Sequence, residues 1–465
     1  MVYPFDGFQL FAINGYGVKV VDITLLLLYI VFFYYLIKNQ KRAIISRNIV
    51  IQFSLIILIS TLLSGFHPII KGEGAAIIQF FKTISHFIFV YFFIFFCIFY
   101  EFKDNFWDKL IRVLLIYSIF VNIFGIYQVF ARLYDLPLAW LPINNVSMAY
   151  RGVYDISDIS QISIQFINLY RATSIFTEPS HYAVFLTTIL VFLLTPIIQK
   201  HEPFIKNKVL NIIIFSLSFV ALLATFSLTA LLSVFIIVLG YLIFEFNNFF
   251  KKSILISISL LIVLILSDYV IKYFTETSPL ELFYKRVEGV IGTISGTDKQ
   301  ISGESFKYRT TIIQTSFEIW EKSPIIGCGL GNFYLNQNKD INFAHDILTN
   351  ALAEMGIVGA FAVLVFFIST FIVLLKLKHN LSMLKINNED KRLLGVAFFL
   401  LLQIFSVNFF SSSFFVYANF WFFFGLIVFI INKIYTQNIS EKNLIISFSN
   451  NTIESLFRFF NNRRL

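Results

Sequence analysis

What most limits this chain is a succession of apolar runs, each long enough to cross a bilayer and most flanked by lysine or arginine on one side. A membrane-spanning helix needs about 17 to 25 predominantly apolar residues, since each residue adds about 1.5 Å across a hydrocarbon layer about 30 Å thick. By that measure spans are expected at 20–37, 49–65, 84–101, 110–130, 180–198, 208–225, 228–246, 253–271, 347–375, 393–411 and 414–432, about eleven helices (10–12). The last two are divided only by the polar stretch at 411–415. Backbone inside hydrocarbon has no water to bond with, and runs of this length satisfy it as helix. The expected fold class is therefore all-α, a polytopic integral membrane helix bundle. The chain's 14% charged residues and 60 Phe leave too little polar surface for a soluble globular protein of this size.

Basic residues orient the spans. Lys38, Lys41, Arg42 and Arg47 follow the first span, Lys103, Lys109 and Arg112 the third, and Lys200, Lys206 and Lys208 the fifth. Lys251 and Lys252 follow the seventh, Lys376, Lys378, Lys385, Lys391 and Arg392 the ninth, and Arg458, Arg463 and Arg464 lie in the tail. These sets alternate, which makes them cytoplasmic, with the N-terminus outside and the C-terminus inside. Two large, partly helical outer loops result, at about 131–179 and 272–346, within a single transmembrane domain at 1–435 followed by a cytoplasmic tail at 436–465. The net charge of +9 reads mainly as an orientation signal, so no nucleic-acid partner is needed to explain it; an RNA-binding tail stays open as an alternative. The first twenty residues have no basic region ahead of a short apolar core, so the first run is expected to stay as a span. Cys97 and Cys328 read as unpaired structural thiols.

Polar groups this close to a bilayer need compensation or a use. The first outer loop ends at Tyr170–Leu186, where Pro179 suits the first turn of a helix because the amide it lacks would be unpaired there. The free amides of Ser180, His181 and Tyr182, with Arg171 just upstream, can receive an anion. Alternatively Glu178 caps that helix and pairs with Arg171.

The second loop holds an amphipathic helix over Phe306–Trp320, with Ile312, Ile313, Phe317 and Trp320 as its apolar positions, and ends in a glycine-rich stretch from Pro324 to Gly359. Gly327, Gly329 and Gly331 match neither a dinucleotide fingerprint nor a P-loop. Asp346 is placed to cap the next helix, and His345, Asp346, Thr349, Asn350 and Glu354 share one half of its circumference, Glu354 lying about 12 Å deeper than Asp346. Gly356 and Gly359 are expected to admit a neighbouring helix. His345 has the ordinary pKa of a proton-transfer group near neutrality, and arginines favour phosphate through their planar fork. From the residues alone the site combines guanidinium groups, an imidazole and carboxylates, open to the outer leaflet.

Three segments in this order carry a resemblance: Arg171 with SIFTEPSHYA, then YRTTIIQTSFEIWEKSPIIGCGLGNF from Tyr308 to Phe333, then FAHDILTNALAEMGIVG from Phe343. Together they resemble the O-antigen polymerase and ligase superfamily of bacterial envelope glycosyltransferases, and more closely its polymerases of the Wzy type. The resemblance implies a type C, inverting, metal-independent glycosyltransferase without cofactor, catalytic across 1–435 and facing the periplasm from the inner membrane. Donor and acceptor would be undecaprenyl-diphosphate-linked oligosaccharides within membrane lipid, with a chain-length regulator as a further candidate partner and an O-antigen or capsule as product. It assigns Arg171 and Arg309 to the diphosphate, with Arg286 as a supplementary contact. His345 would orient or deprotonate the acceptor hydroxyl, Glu178 is a second candidate for acceptor or base work, and Asp346, Asn350 and Glu354 support the site. The family's His-Asn pair is His345-Asp346 here, and Ser227 is followed by Leu228 where many relatives have arginine. A ligase that transfers glycan to lipid A core or protein, and a transporter of lipid-linked sugars, are the alternatives. A transporter usually carries mid-bilayer polar residues and internal repeats, which this sequence does not show.

Overall fold

The computed structural model describes residues 9–13, 16–38, 49–103, 105–141, 161, 163, 165–166, 169–246, 248, parts of 262–273, 276–294, 303–336, 346–380, 386–410 and 418–438. Over these the chain is all-α apart from two short antiparallel hairpins, β1 (Gln9–Ile13) with β2 (Tyr16–Lys19) and β3 (Gln165–Phe166) with β4 (Leu169–Tyr170). The helices are α1 (Val20–Lys38), α2 (Ile49–Ser64), α3 (Phe66–Lys71), α4 (Gly74–Tyr91), α5 (Phe93–Phe99), α6 (Phe106–Leu133), α7 (Pro179–Ile198), α8 (Lys208–Ala224) and α9 (Leu228–Phe244). They continue with α10 (Pro279–Ile294), α11 (Gly303–Lys322), α12 (Ile347–His379), α13 (Asn388–Phe410) and α14 (Ala418–Asn438). Among the described residues seven helical segments are long and apolar enough to cross a membrane, and α8, α9 and most of α14 are shorter apolar helices. The chain is a polytopic membrane protein; most of the span expected at 253–271 lies outside the described residues.

The helices sort by what covers them. α7 and α13 are buried on nearly every side, whereas α1, α6 and α8 turn Leu27, Ile30, Phe120, Ile123, Val209 and Ile212 outward, as lipid-facing helices do. Aromatic rings fill the centre, with Trp421 of α14 meeting Tyr91 at 5.0 Å and Phe87 at 5.8 Å between ring centroids. Polar contacts add directional contacts between helices where apolar packing against lipid gives little net drive. Asn122 donates to the Ser218 hydroxyl at 2.9 Å and accepts from the Tyr182 hydroxyl at 3.1 Å, linking α6, α8 and α7. Gly125 makes room for that tyrosine, since a Cβ there would lie 2.7 Å from its ring.

Charged contacts mark the two ends of the bundle. At one end Arg392 pairs with Asp108 and donates to the Glu202 carbonyl at 2.8 Å, Lys378 reaches Glu245 at 2.5 Å, and Lys433 reaches Asp390 at 2.7 Å. That end therefore gathers the start of α6, the exits of α7 and α9, the α12–α13 connection and the end of α14. At the other end the turn at Arg171 meets the end of α8, and the Leu330 amide donates to Ser64 at the end of α2 at 3.2 Å.

Three sequence expectations change. The third span starts ten residues earlier, as α4 and α5 meeting at Phe92, because Ala75, Ala76, Ile77 and Ile78 extend the apolar face past Lys82. On α11, Ile312 is buried but Ile313 and Phe317 are exposed; the covered stripe is Ile312, Thr315, Ser316 and Ile319, since α11 lies on α12 through a narrow strip. The ninth span is one helix interrupted at Gly356, whose φ of 68° and ψ of −166° are not helical.

Candidate functional site

The site end is built from three segments. The first is the turn at Arg171, which sits between α6 and the end of α8. Its carbonyl accepts from Arg132 at 2.5 Å and from Ser163 at 2.9 Å, its own Nε donates to the Thr225 carbonyl at 2.8 Å, and the next amide, Ala172, donates to Ala224 at 2.8 Å. Arg171 is half-buried, with one guanidinium nitrogen fixed against the C-terminus of α8. Sequence reading passed over its support. Arg132 donates to Ala139, Gln161 and Thr173 and stacks 4.1 Å over Trp140, while Gln161 bonds Ser174 at 2.5 Å and Phe176 at 2.8 Å. The signal was present in the sequence as Asn122, Gln128 and Arg132 on one membrane helix, where polar side chains need partners.

Glu178 occupies the N-cap position of α7 with extended backbone, φ −136° and ψ 154°, and Pro179 takes the first turn. The expectation that its side chain caps the helix is corrected. No cap hydrogen bond forms, and the carboxylate accepts from the Ser180 hydroxyl at 3.0 Å. Thr177 and His181 Nδ1 share a hydrogen bond at 2.9 Å on the same turn. From the second outer segment, Arg309 feels the Glu178 charge: burial pulls the Arg309 guanidinium below its usual pKa, and the negative charge of Glu178 opposes that pull. Two candidates from distant parts of the chain are thereby brought into electrostatic reach of each other.

The third segment carries the glycines. Residues 324–329 dock into the break in α12: Cys328 and Gly329 amides donate to the Ala353 and Glu354 carbonyls at 3.0 and 2.9 Å, and the Ile357 amide donates to the Pro324 carbonyl at 2.9 Å. Backbone groups orphaned by the break are satisfied by the loop, as they must be near a membrane. Trp320 Nε1 donates to the same Pro324 carbonyl at 3.0 Å, tying α11 to the junction. Gly356 therefore admits a loop and not the neighbouring helix expected for it.

Asp346 caps α12 as expected, accepting from the Leu348 amide at 3.1 Å and the Thr349 amide at 2.8 Å, and from the Thr349 hydroxyl at 2.5 Å. Asn350 follows on the next turn, half-buried, its amide bonded to the Asp346 carbonyl at 3.1 Å. Glu354 is buried and accepts from the Phe333 amide at 3.2 Å, which fastens the glycine-rich segment from the far side. A small cluster of Ile312, Ile319, Cys328, Phe333 and Ala353 seals α11, the loop and α12 together. Arg309 lies one turn before Ile312, so this cluster fixes the helix that carries it. His345 lies outside the described residues, and Arg286 is on α10 with its side chain outside them.

Chemically, the arrangement offers two guanidinium groups and a carboxylate at one end of an apolar bundle, with a capped helix start beside them. Such groups suit an anionic, diphosphate-like ligand at a membrane surface. No curated protein matches the chain. Residues 213–364 match the family model described as O-antigen ligase, a stretch holding Arg286, Arg309, His345, Asp346, Asn350 and Glu354 but neither Arg171 nor Glu178. Over that third of its length the chain is similar to the glycosyltransferase-like membrane enzymes of the O-antigen polymerase and ligase superfamily.

Proposed function

We propose that this protein is a polysaccharide polymerase that extends a glycan at the outer face of the bacterial cytoplasmic membrane. On this reading about eleven helices span the bilayer, the Arg392 end is cytoplasmic, and the Arg171 end faces outward. The observation that carries it is that the Glu178 charge reaches Arg309 at that end, in a chain whose residues 213–364 match a family described as O-antigen ligase. Donor and acceptor are undecaprenyl-diphosphate-linked repeat units. The acceptor hydroxyl oxygen attacks the anomeric carbon of the donor's reducing-end sugar. The bond from that carbon to the phosphate oxygen breaks, and the diphosphate leaves with the electron pair while configuration inverts.

Arg171 and Arg309, with Arg286 as a further contact, stabilise the charge that grows on the diphosphate. The hydroxyl proton passes to His345 or Glu178. Asp346, Asn350 and Glu354 act indirectly, by fixing the start of α12. Because diphosphate leaves readily, a glycosidase-type carboxylate pair is not required.

The description of the matched family favours a second reading, a ligase that transfers the same glycan to a lipid A core or a protein. Reconstitution of the purified protein with lipid-linked repeat units alone separates the two. Polymer is expected; release of undecaprenyl diphosphate only after lipid A core or acceptor protein is added would establish the ligase.

A further inference from the structure

Arg132 is almost wholly buried at the end of α6, yet every hydrogen-bond partner found for it among the described residues is neutral: the carbonyls of Ala139 and Arg171, the Gln161 amide oxygen and the Thr173 hydroxyl. A buried guanidinium normally has a carboxylate to balance it. Here Nε bonds Ala139 at 2.9 Å, Nη1 bonds Arg171 at 2.5 Å, and Nη2 bonds Gln161 at 2.9 Å and Thr173 at 2.6 Å. With its flat face against Trp140, the group is used on all sides and is closed to a ligand. Its fork instead holds four stretches of chain in register: the end of α6, the turn after it, Gln161, and the strand exit at Arg171–Thr173.

We propose that Arg132 is a positioning residue for Arg171, an inference that rests on the diphosphate reading of Arg171. The direct link is the bond from Nη1 to the Arg171 carbonyl. That bond and the Arg171 bond to Thr225 fix the residue from its main chain and from its side chain, so the remaining guanidinium nitrogens are held in one direction. Lysine at 132 keeps the charge but has no planar fork to span Ala139, Arg171 and Gln161 together.

The test uses the full-length protein in lipid nanodiscs and measures affinity for undecaprenyl diphosphate in wild type, Arg132→Lys, Arg171→Ala and the double variant, with thermal unfolding as the check on folding. Arg132→Lys is expected to weaken binding about fivefold, the equivalent of one net hydrogen bond. In the Arg171→Ala background the same change should have no further effect, because Arg132 acts through Arg171. Wild-type affinity in Arg132→Lys, or losses that multiply in the double variant, overturns the positioning role. Undiminished affinity in Arg171→Ala instead overturns the diphosphate reading itself. Should Arg132→Lys not fold, Thr173→Val removes one acceptor of the fork and should show the same dependence on Arg171; an equal loss with and without Arg171 overturns the proposal.

Discussion

Gly356 and Ile325 meet backbone to backbone: a Cβ placed on Gly356 would lie 2.2 Å from the Ile325 carbonyl oxygen. The contact is reciprocal two loop residues further on, where a Cβ on Gly327 would lie 2.3 Å from the Glu354 carbonyl carbon. Neither neighbour can yield, because both are main chain engaged in the hydrogen bonds that repair the break in α12. Gly356→Ala must leave a conformation essentially reserved for glycine, costing about 1–3 kcal/mol before the clash is counted. It is expected to lower the unfolding temperature in detergent and to abolish turnover, whereas Gly74→Ala, where a Cβ meets open space, should do neither. Equal behaviour of the two variants would show that the loop is not locked into the break.

Asp346 serves α12 through its oxygens, not its charge, since both oxygens are spent on Leu348 and Thr349. Asparagine caps as well as aspartate does. Asp346→Asn should therefore keep near wild-type stability and activity, while Asp346→Ala loses about 1 kcal/mol. A large activity loss in Asp346→Asn alone would mean that the carboxylate charge has a part in the chemistry.

Arg309 is half-buried within reach of the Glu178 charge. Lysine would lose the planar fork suited to phosphate, so Arg309→Lys is expected to lower turnover at least about tenfold and Arg309→Ala to abolish polymer while the protein still inserts. Glu178→Gln separates base from counter-charge. As a base, its loss should cut turnover by about 10² or more with donor binding intact. Weakened donor binding with turnover of the bound complex unchanged would assign Glu178 to holding Arg309.

Cys328 lies buried beneath α11, and burial, with Glu354 nearby, pushes its thiol well above the usual range. The reactive form is the thiolate. In the folded protein Cys328 should resist maleimide through pH 8.5 and become labelled only on unfolding. Since the unfolded thiol ionises near about 8.5 while the folded one stays protonated, this contribution to stability is full below that pH and is lost as pH rises above it. Rapid labelling of folded protein at pH 7 would place the residue at the surface.

Much of the bundle was legible because apolar runs of this length satisfy their backbone in hydrocarbon as helix: α2, α7, α8 and α12 begin within a residue or two of where the apolar runs begin. Asp346 was legible too, as an N-cap depends on a local pattern. The Gly356 break was not, because glycine inside an apolar helix reads equally as a packing notch, and only the docked loop reveals why the helix must open. The reach of the Glu178 charge to Arg309 was not legible either, because the two lie 131 positions apart and proximity in sequence points only to Arg171. The support of Arg171 by Arg132 needed Gln161 and Thr173 from the far side of a loop, which no local pattern announces.

Asp108 and Arg392 pair at the end of the bundle away from this site, both largely buried, yet the pair is incompletely satisfied: Asp108 Oδ1 and Arg392 Nε have no hydrogen-bond partner among the described residues. Arg392 gains the Glu202 carbonyl and the face of Phe204, 4.7 Å away, but two desolvated charges with unused polar atoms return little net stability. Removing one partner strands the other. Asp108→Leu and Arg392→Met are each expected to cost about 3–5 kcal/mol, and the double variant distinctly less than either. Unfolding temperatures of the three variants decide the matter, and additive losses would show that each residue stabilises the end of the bundle through contacts of its own. Turnover per folded molecule should stay at the wild-type level in the double variant, because the residues that would hold substrate lie at the opposite end.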